Sequence, residues 1–224
     1  MAEEREQAQA QAKGQEMGLR ERKKKQTALR IRRAALQLFV ERGYDKVSVA
    51  ETAEAAEVSK MTVFNYFGTK EDILVAPMEE HVGDPARAVR ERRHGEPAVD
   101  AVRRQFMEQI AARDASVGLS DSTIAVKLRQ LISETPALSH RLLIFQLRGL
   151  QLLTEALAED TGDPLLARVA AGQLLGARNA VIMENQRRTL AGDPLDQVAE
   201  DAATYAGRAF DLVEKGLKGY AAKP

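Results

Sequence analysis

The sequence contains no cysteine and no tryptophan, and aromatic residues make up only 4% of its 224 residues. Without cysteine, the chain has no disulfides, no thiolate metal ligands and no cysteine nucleophile. Apolar runs stay below the roughly 18 residues that a membrane-spanning helix needs. The opening stretch MAEEREQAQAQAKGQEMG lacks the apolar segment of a signal peptide. We therefore expect a cytoplasmic protein with no membrane-spanning helix.

Signals for β-strands and for catalysis are also scarce. Runs of β-branched and aromatic residues are missing, which predicts an all-α fold. The three histidines, His81, His94 and His140, are far apart in the sequence. No glycine-rich phosphate loop and no nucleophile elbow is found. We expect no enzymatic activity, no metal site and no cofactor.

Charge is balanced overall, with 33 basic and 33 acidic residues, but it is unevenly placed. Residues 19–33 include eight basic residues and one acidic residue, Glu21, for a net charge of +7. This basic segment could bind DNA phosphates, or it could be a solvated run of charge. The preceding residues 1–18 are rich in Glu, Gln and Ala, with little to bury, so we expect a frayed helical or disordered lead.

Three helix starts are packed into the 27 residues 47–73, after a first helix predicted from Gln26 to Gly43. Each start has a residue that can cap a helix, and these residues are Ser48, Ser59 and Thr69. Short helices separated by short turns are typical of a helix-turn-helix DNA-binding domain. The helix after Ser59, from Lys60 to Tyr66, would be its recognition helix.

The run VSKMTVFNYFGTKEDIL, residues 58–74, resembles the signature of the TetR family of bacterial transcriptional regulators. The resemblance covers roughly residues 26–75. It implies an N-terminal helix-turn-helix domain, here 19–72 with the basic segment, and a larger helical ligand-binding and dimerisation domain, 73–224. The family usually has glycine where this chain has Glu57, so we expect positive φ at Glu57 at a cost of about 1 kcal/mol.

The predicted recognition helix is short, so only its first turn and outer face can reach base edges in the major groove. Lysine can donate to guanine, methionine can contact a thymine methyl group, and asparagine can pair with adenine. Lys60, Met61 and Asn65 are therefore the candidate base-reading residues. The resemblance also implies phosphate contacts, which position a protein without specifying bases, for Ser48, Thr62, Tyr66 and Lys70.

The resemblance implies a small-molecule pocket in the helical domain. Among the predicted helices, polar groups stand out on the mostly apolar helix that carries Arg178, Asn179 and Glu184. If one of them faces inward it needs a partner, which a ligand could supply. Apolar residues that could line the pocket, but that are equally typical of ordinary core, are Phe106, Leu128, Phe145, Gly149, Leu175 and Met183.

The last two predicted helices begin at Asp163–Pro164 and Asp193–Pro194, and both are rich in alanine and glycine. Small residues allow helices to approach closely, and two such helices from each of two chains would form a four-helix bundle. Alternatively, the alanines pack inside one subunit. The candidate interface residues are Gly176, Ala180, Ala202, Ala206 and Ala209.

Together with the resemblance, these features predict a ligand-responsive transcriptional regulator. We expect a repressor that binds a palindromic double-stranded DNA operator as a homodimer and is released by a small-molecule inducer. One alternative is a DNA-bound adaptor of the same fold that acts through a protein partner without a small ligand. A less favoured alternative is an enzyme that uses a cavity of the helical domain.

Overall fold

The computed structural model describes residues 2–216, and the side chains of residues 18–216. Within these residues it contains α-helices and two short 3-10 helices and no strands, so the prediction of an all-α fold is confirmed. No helix in the described part is long and apolar enough to cross a membrane. The α-helices are α1 (Ala2–Arg42), α2 (Val49–Ala55), α3 (Lys60–Tyr66), α4 (Asp72–Glu79), α5 (Asp84–Arg90), α6 (Ala98–Ala111), α7 (Thr123–Glu134), α8 (Pro136–Thr161), α9 (Pro164–Ala191) and α10 (Leu195–Gly216).

The chain divides into two compact units between Leu74 and Val75. α1, α2 and α3 belong to the first unit, and α5 to α10 belong to the second. α4 contains the point of division, so a single helix belongs partly to each unit.

α1 starts well before Gln26, where the sequence analysis placed the first helix. It runs from Ala2 through the basic segment to Arg42. Ala, Glu, Gln, Lys and Arg are strong helix formers, which accounts for helix in a stretch that has little to bury. Among the side chains that the structure describes, the first buried one on α1 is that of Ile31, and residues 18–26 are exposed.

The first unit encloses a small apolar core between α1, α2 and α3. Phe39, Val63 and Phe67 are buried there, and the rings of Phe39 and Tyr44 meet edge to face with centroids 5.0 Å apart. Ser48 and Glu51 form the predicted capping box: Ser48 Oγ accepts from the Glu51 amide, and the Glu51 carboxylate accepts from the Ser48 amide.

The two later caps predicted in this unit are also present. Ser59 Oγ accepts from the Thr62 amide at 3.0 Å and begins α3. Thr69 and Asp72 bond to each other's amides, both at 3.2 Å, at the start of α4. Local hydrogen bonds therefore fix where α2, α3 and α4 begin.

The turn between α2 and α3 contains Glu57 at φ 53°, in the left-handed region, as the sequence analysis predicted. Its amide donates to the carbonyl of Glu54 at 2.9 Å, and the next amide, that of Val58, donates to Ala53 at 2.9 Å. These bonds close the end of α2 and hold a non-glycine residue in a conformation that is costly for it.

In the second unit, α9 contacts α6, α7, α8 and α10, while α5 packs on α6 and α8. Asp163 caps α9 by accepting from the amides of Leu165 and Leu166, both at 3.0 Å. The core includes the Phe106 and Phe210 rings, with centroids 6.1 Å apart.

We predict that Glu57→Gly raises the free energy of unfolding by about 1 kcal/mol, because glycine adopts positive φ without strain. The matched control is Glu54→Gly, which changes the same residue type inside α2 and should cost about 1 kcal/mol. Urea denaturation of the full chain, followed by circular dichroism, measures both. Changes of the same sign in the two variants would contradict the argument.

Candidate nucleic-acid interface and effector region

α3 has one buried face and one exposed face. Val63 is buried against the core of the first unit. Lys60, Met61 and Asn65 are exposed, and Met61 has 68% of its surface accessible. The three side chains predicted to read bases therefore lie on the solvent side of a short helix that can enter a major groove.

The polar residues that would position the protein on DNA lie near the start of α2 and along α3. Ser48 is exposed and already bonded within its capping box. The Thr62 hydroxyl lies 2.8 Å from Ser59 Oγ, and Tyr66 is half-buried beside Phe67. Capping accounts for the hydroxyl of Ser48 in the free protein, so a phosphate contact by Ser48 stays a prediction.

Lys70 is held within the first unit by a set of contacts that the sequence did not predict. Its Nζ donates to the Tyr44 carbonyl at 2.5 Å and lies 4.0 Å from the centroid of the Tyr44 ring. Partial burial lowers the pKa of the Lys70 ammonium, although the charge of Asp45 opposes this shift. The Tyr44 hydroxyl donates to Glu71 at 2.5 Å, and burial raises the pKa of that hydroxyl. Lys70 would have to leave these contacts, or share them, to reach a phosphate.

The apolar residues proposed for a ligand pocket are distributed unevenly in the second unit. Phe106 and Phe145 are buried, and Leu128 and Leu175 are half-buried. Met183 is 68% exposed. Its assignment to an internal pocket was wrong, because it lies on the outward side of α9.

Gly149 is buried on α8 and faces the segment that follows α4. A Cβ atom added there would lie 3.4 Å from the Val82 carbonyl oxygen and 3.6 Å from the Val82 side chain. A methyl group would therefore just fit at this position, and a larger side chain would not fit unless α8 and this segment moved apart.

Of the three polar residues singled out on α9, Arg178 is the one that faces inward. It is 7% exposed, and its Nη2 donates to Gln109 Oε1 at 2.7 Å. Its guanidinium carbon lies 5.0 Å from the centroid of the Phe106 ring. Asn179 is half-buried, and Glu184 pairs at the surface with Arg187 at 2.7 Å.

The Arg178 contact continues into a polar network on α5 and α6. Gln109 Nε2 donates to Asp84 Oδ2 at 3.1 Å, and His81 Nδ1 lies 3.0 Å from the same oxygen. Arg87 also pairs with Asp84, which is itself buried. The network thus extends from the interior of the second unit to His81, two residues beyond the end of α4.

Two of the predicted dimer-interface residues are core residues of the subunit. Ala202 and Ala206 are buried within the second unit, on the same stripe of α10 as Phe210. They present no surface to a partner, so the alternative that the alanines pack inside one subunit holds for them. Ala209 is half-buried, while Gly176 and Ala180 on α9 are exposed.

Comparison with known proteins finds similarity that is concentrated in the first unit. The family model described as "Bacterial regulatory proteins, tetR family" matches residues 31–76. The HTH-type transcriptional regulator TcmR of Streptomyces glaucescens is 31% identical over 122 residues, which are 54% of each chain. LuxR of Vibrio harveyi is 46% identical over 52 residues, 23% of this chain and 24% of LuxR. These matches thus span about half or less of the relatives' length.

Two solved structures share the fold. GusR of Salmonella enterica has a TM-score of 0.52 at 21% identity, with 86% of this chain and 95% of GusR covered. NalD of Pseudomonas aeruginosa, described as the secondary repressor of a multidrug efflux pump, has a TM-score of 0.52 at 19% identity, with 83% and 97% covered. The match over residues 31–76 identifies a helix-turn-helix domain of the type that bacterial regulatory proteins of the TetR family contain.

We predict that Lys60→Ala or Asn65→Ala costs about 1–3 kcal/mol on the preferred DNA site and relaxes base choice at one position per half-site. Lys70→Ala should instead weaken binding to all duplexes alike, because a phosphate contact carries no base information. Sequencing of the DNA fragments retained by each purified variant, followed by titration of selected duplexes, measures both effects.

The control for this experiment is Lys127→Ala, which removes an exposed lysine from the second unit and should leave DNA binding unchanged. A uniform loss of affinity across all sequences in the α3 variants would refute the assignment of base reading to α3.

Proposed function

We propose that the protein is a homodimeric repressor that binds a palindromic operator and leaves it when a small molecule binds the second unit. The observation that carries the proposal is the division of the chain within α4: the unit with the exposed recognition helix and the unit with the buried Arg178 network are parts of one chain joined through this helix. A ligand that changes the second unit can therefore act on DNA binding through α4.

The proposed dimer interface is an exposed stripe of small and apolar residues along α9. Its members recur every three or four positions, as one face of a helix requires. Added Cβ atoms at Gly172 and Gly176 would meet nothing within 4 Å in their own chain, so these positions have room for close approach by a second subunit. The stripe is formed by Leu165, Val169, Gly172, Gly176, Ala180 and Met183.

α10 contributes a second exposed face to the proposed interface. Tyr205 and Leu212 are 51% and 72% exposed on the flank of α10 next to the buried Ala202 and Ala206. Large apolar side chains at such exposure are typical of surfaces covered by a partner. We therefore keep the proposal of a four-helix bundle between two subunits. In it, the exposed faces of α9 and α10 form the interface, and the buried alanines do not.

We predict that Ala180→Glu gives a folded monomer, because it places a charge on the proposed interface without disturbing the core. Ala206→Glu should instead prevent cooperative folding, because it buries an unpaired carboxylate. Ala111→Glu, an exposed site on α6, is the control and should remain dimeric. Light scattering after size exclusion measures the oligomeric state, and thermal unfolding measures the stability of each variant. A dimeric Ala180→Glu variant would show that the interface lies elsewhere.

A symmetric dimer carries two copies of α3 related by a two-fold axis. The proposed operator is therefore an inverted repeat, with half-site centres about 34–36 Å apart or somewhat more. Release by an inducer requires that the ligand favour a conformer in which the two copies of α3 are wrongly spaced for this site.

Inducer and operator should weaken each other's binding by the same factor, because linkage is reciprocal. Typical couplings of about 1–3 kcal/mol correspond to roughly 5–150-fold. Calorimetric titration of an identified ligand, with operator and without it, measures the factor, and a duplex of scrambled sequence is the control. Equal ligand affinity in the two titrations would show that the ligand is not an inducer.

A second candidate function is a DNA-bound adaptor that recruits a protein. It is favoured by one observation: Leu143, Ile144 and Leu147 on α8 are 49%, 41% and 58% exposed and form an apolar surface. Charged substitutions at Leu143 and Leu147 separate the candidates, because they should abolish regulation by an adaptor and leave ligand-induced release from DNA intact.

A further inference from the structure

Arg178 carries a buried charge with few hydrogen-bond partners. Among the described residues, its one side-chain hydrogen bond is to the neutral amide of Gln109, and its Nε is buried without a protein acceptor. Burial lowers the pKa of the guanidinium to about 10, against the opposing attraction of Asp84 and Asp114. The group still carries its charge near neutral pH.

The nearest acidic groups are engaged elsewhere. Asp84 already receives Arg87, Gln109 and His81, and Asp114 accepts from the Ser116 amide at 2.8 Å. Both therefore act on Arg178 through space and not by direct contact. The interior of the second unit thus contains a planar cation whose bonding capacity is only partly used.

Arg92 shows how the same protein buries an arginine for structure alone. It is 5% exposed, and it donates to the carbonyls of Val89 and Glu96 at 2.7 and 3.0 Å. It also pairs with Asp160 at 2.7 Å. Arg92 therefore donates to three groups, one of which is a carboxylate. Arg178 donates to one amide oxygen and otherwise contacts an aromatic ring.

A buried cation that has no carboxylate bonded to it lowers stability, and an apolar residue of similar volume would stabilise the fold more. Destabilising groups of this kind are retained at functional sites. We propose that Arg178 binds the acidic group of the effector, which is a small organic anion with a carboxylate-type head and an apolar body. This inference rests on the proposed ligand-responsive function and adds the chemical class of the ligand.

The unused Nε donor of Arg178 is suited to such a head group. A carboxylate accepts two parallel hydrogen bonds from one edge of a guanidinium, including Nε. Phe106, stacked near the guanidinium, and Leu175, one turn earlier on α9, offer apolar surface for the body of the ligand. Binding would draw Arg178 from Gln109 and so disturb the bond to Asp84, at the start of α5.

The first test needs no ligand and compares the thermal unfolding of two variants. Arg178→Met removes the partly satisfied cation and should raise the melting temperature by about 2–8 °C. Arg92→Met is the matched control. It removes a cation whose hydrogen bonds are all made, and it should lower the melting temperature by about 6 °C or more. If Arg178→Met lowers the melting temperature as much as Arg92→Met does, then Arg178 stabilises the fold and the proposal is overturned.

The second test uses benzoate, 1-naphthoate and decanoate as probes, each compared with its primary amide. At saturating concentration at least one carboxylate should raise the melting temperature of the wild-type protein by about 5–10 °C more than its amide does. Arg178→Met should lose this difference, and Arg178→Lys, which keeps the charge but not the planar fork, should keep a smaller part of it.

The outcomes also separate this inference from the proposed function. If no carboxylate stabilises the wild-type protein more than its amide, the proposal fails. If a neutral compound releases DNA equally well from the wild-type and Arg178→Met proteins, Arg178 is not the anchor and the ligand-responsive function stands. If carboxylates bind at Arg178 but leave DNA affinity unchanged, the site is confirmed and the repressor mechanism fails.

Discussion

The burial of α9 is the constraint on which the second unit depends. α6, α7, α8 and α10 all contact this helix, and Ala167, Ala170 and Ala171 on its inner side allow them to approach closely. Because α9 is central, any group on its inner side is removed from water whatever its chemistry. Arg178 is therefore desolvated by its position. The free-energy cost of removing its guanidinium from water follows from the same packing that stabilises the rest of the unit.

The first unit was largely predictable because its signals are local. A cap needs only two residues three positions apart, so Ser48 with Glu51 and Thr69 with Asp72 could be read directly from the sequence. The left-handed conformation of Glu57 followed from the family resemblance. The contacts of Lys70 with Tyr44 were not predicted, because they join residues 26 positions apart and depend on how the turn after α1 lies against the segment before α4.

The second unit was predictable in its helices but not in which face of each helix turns inward. α9 carries alanine, glycine and leucine around much of its circumference, so its composition does not fix its rotation, and Met183 and the small residues could not be assigned to a face. On α10 a signal existed: Val198, Phe210 and Val213 share a stripe with the buried alanines. Following those larger residues would have placed Ala202 and Ala206 in the core.

The close approach at Gly149 has a mechanical consequence. The atoms that an added Cβ at Gly149 would meet are the Val82 carbonyl oxygen, at 3.4 Å, and the short Val82 side chain, at 3.6 Å. A methyl group at position 149 would therefore make ordinary contact with Val82, three residues beyond the end of α4. A larger side chain would have to push against the Val82 backbone, and it would act as a wedge that holds α8 and this segment apart.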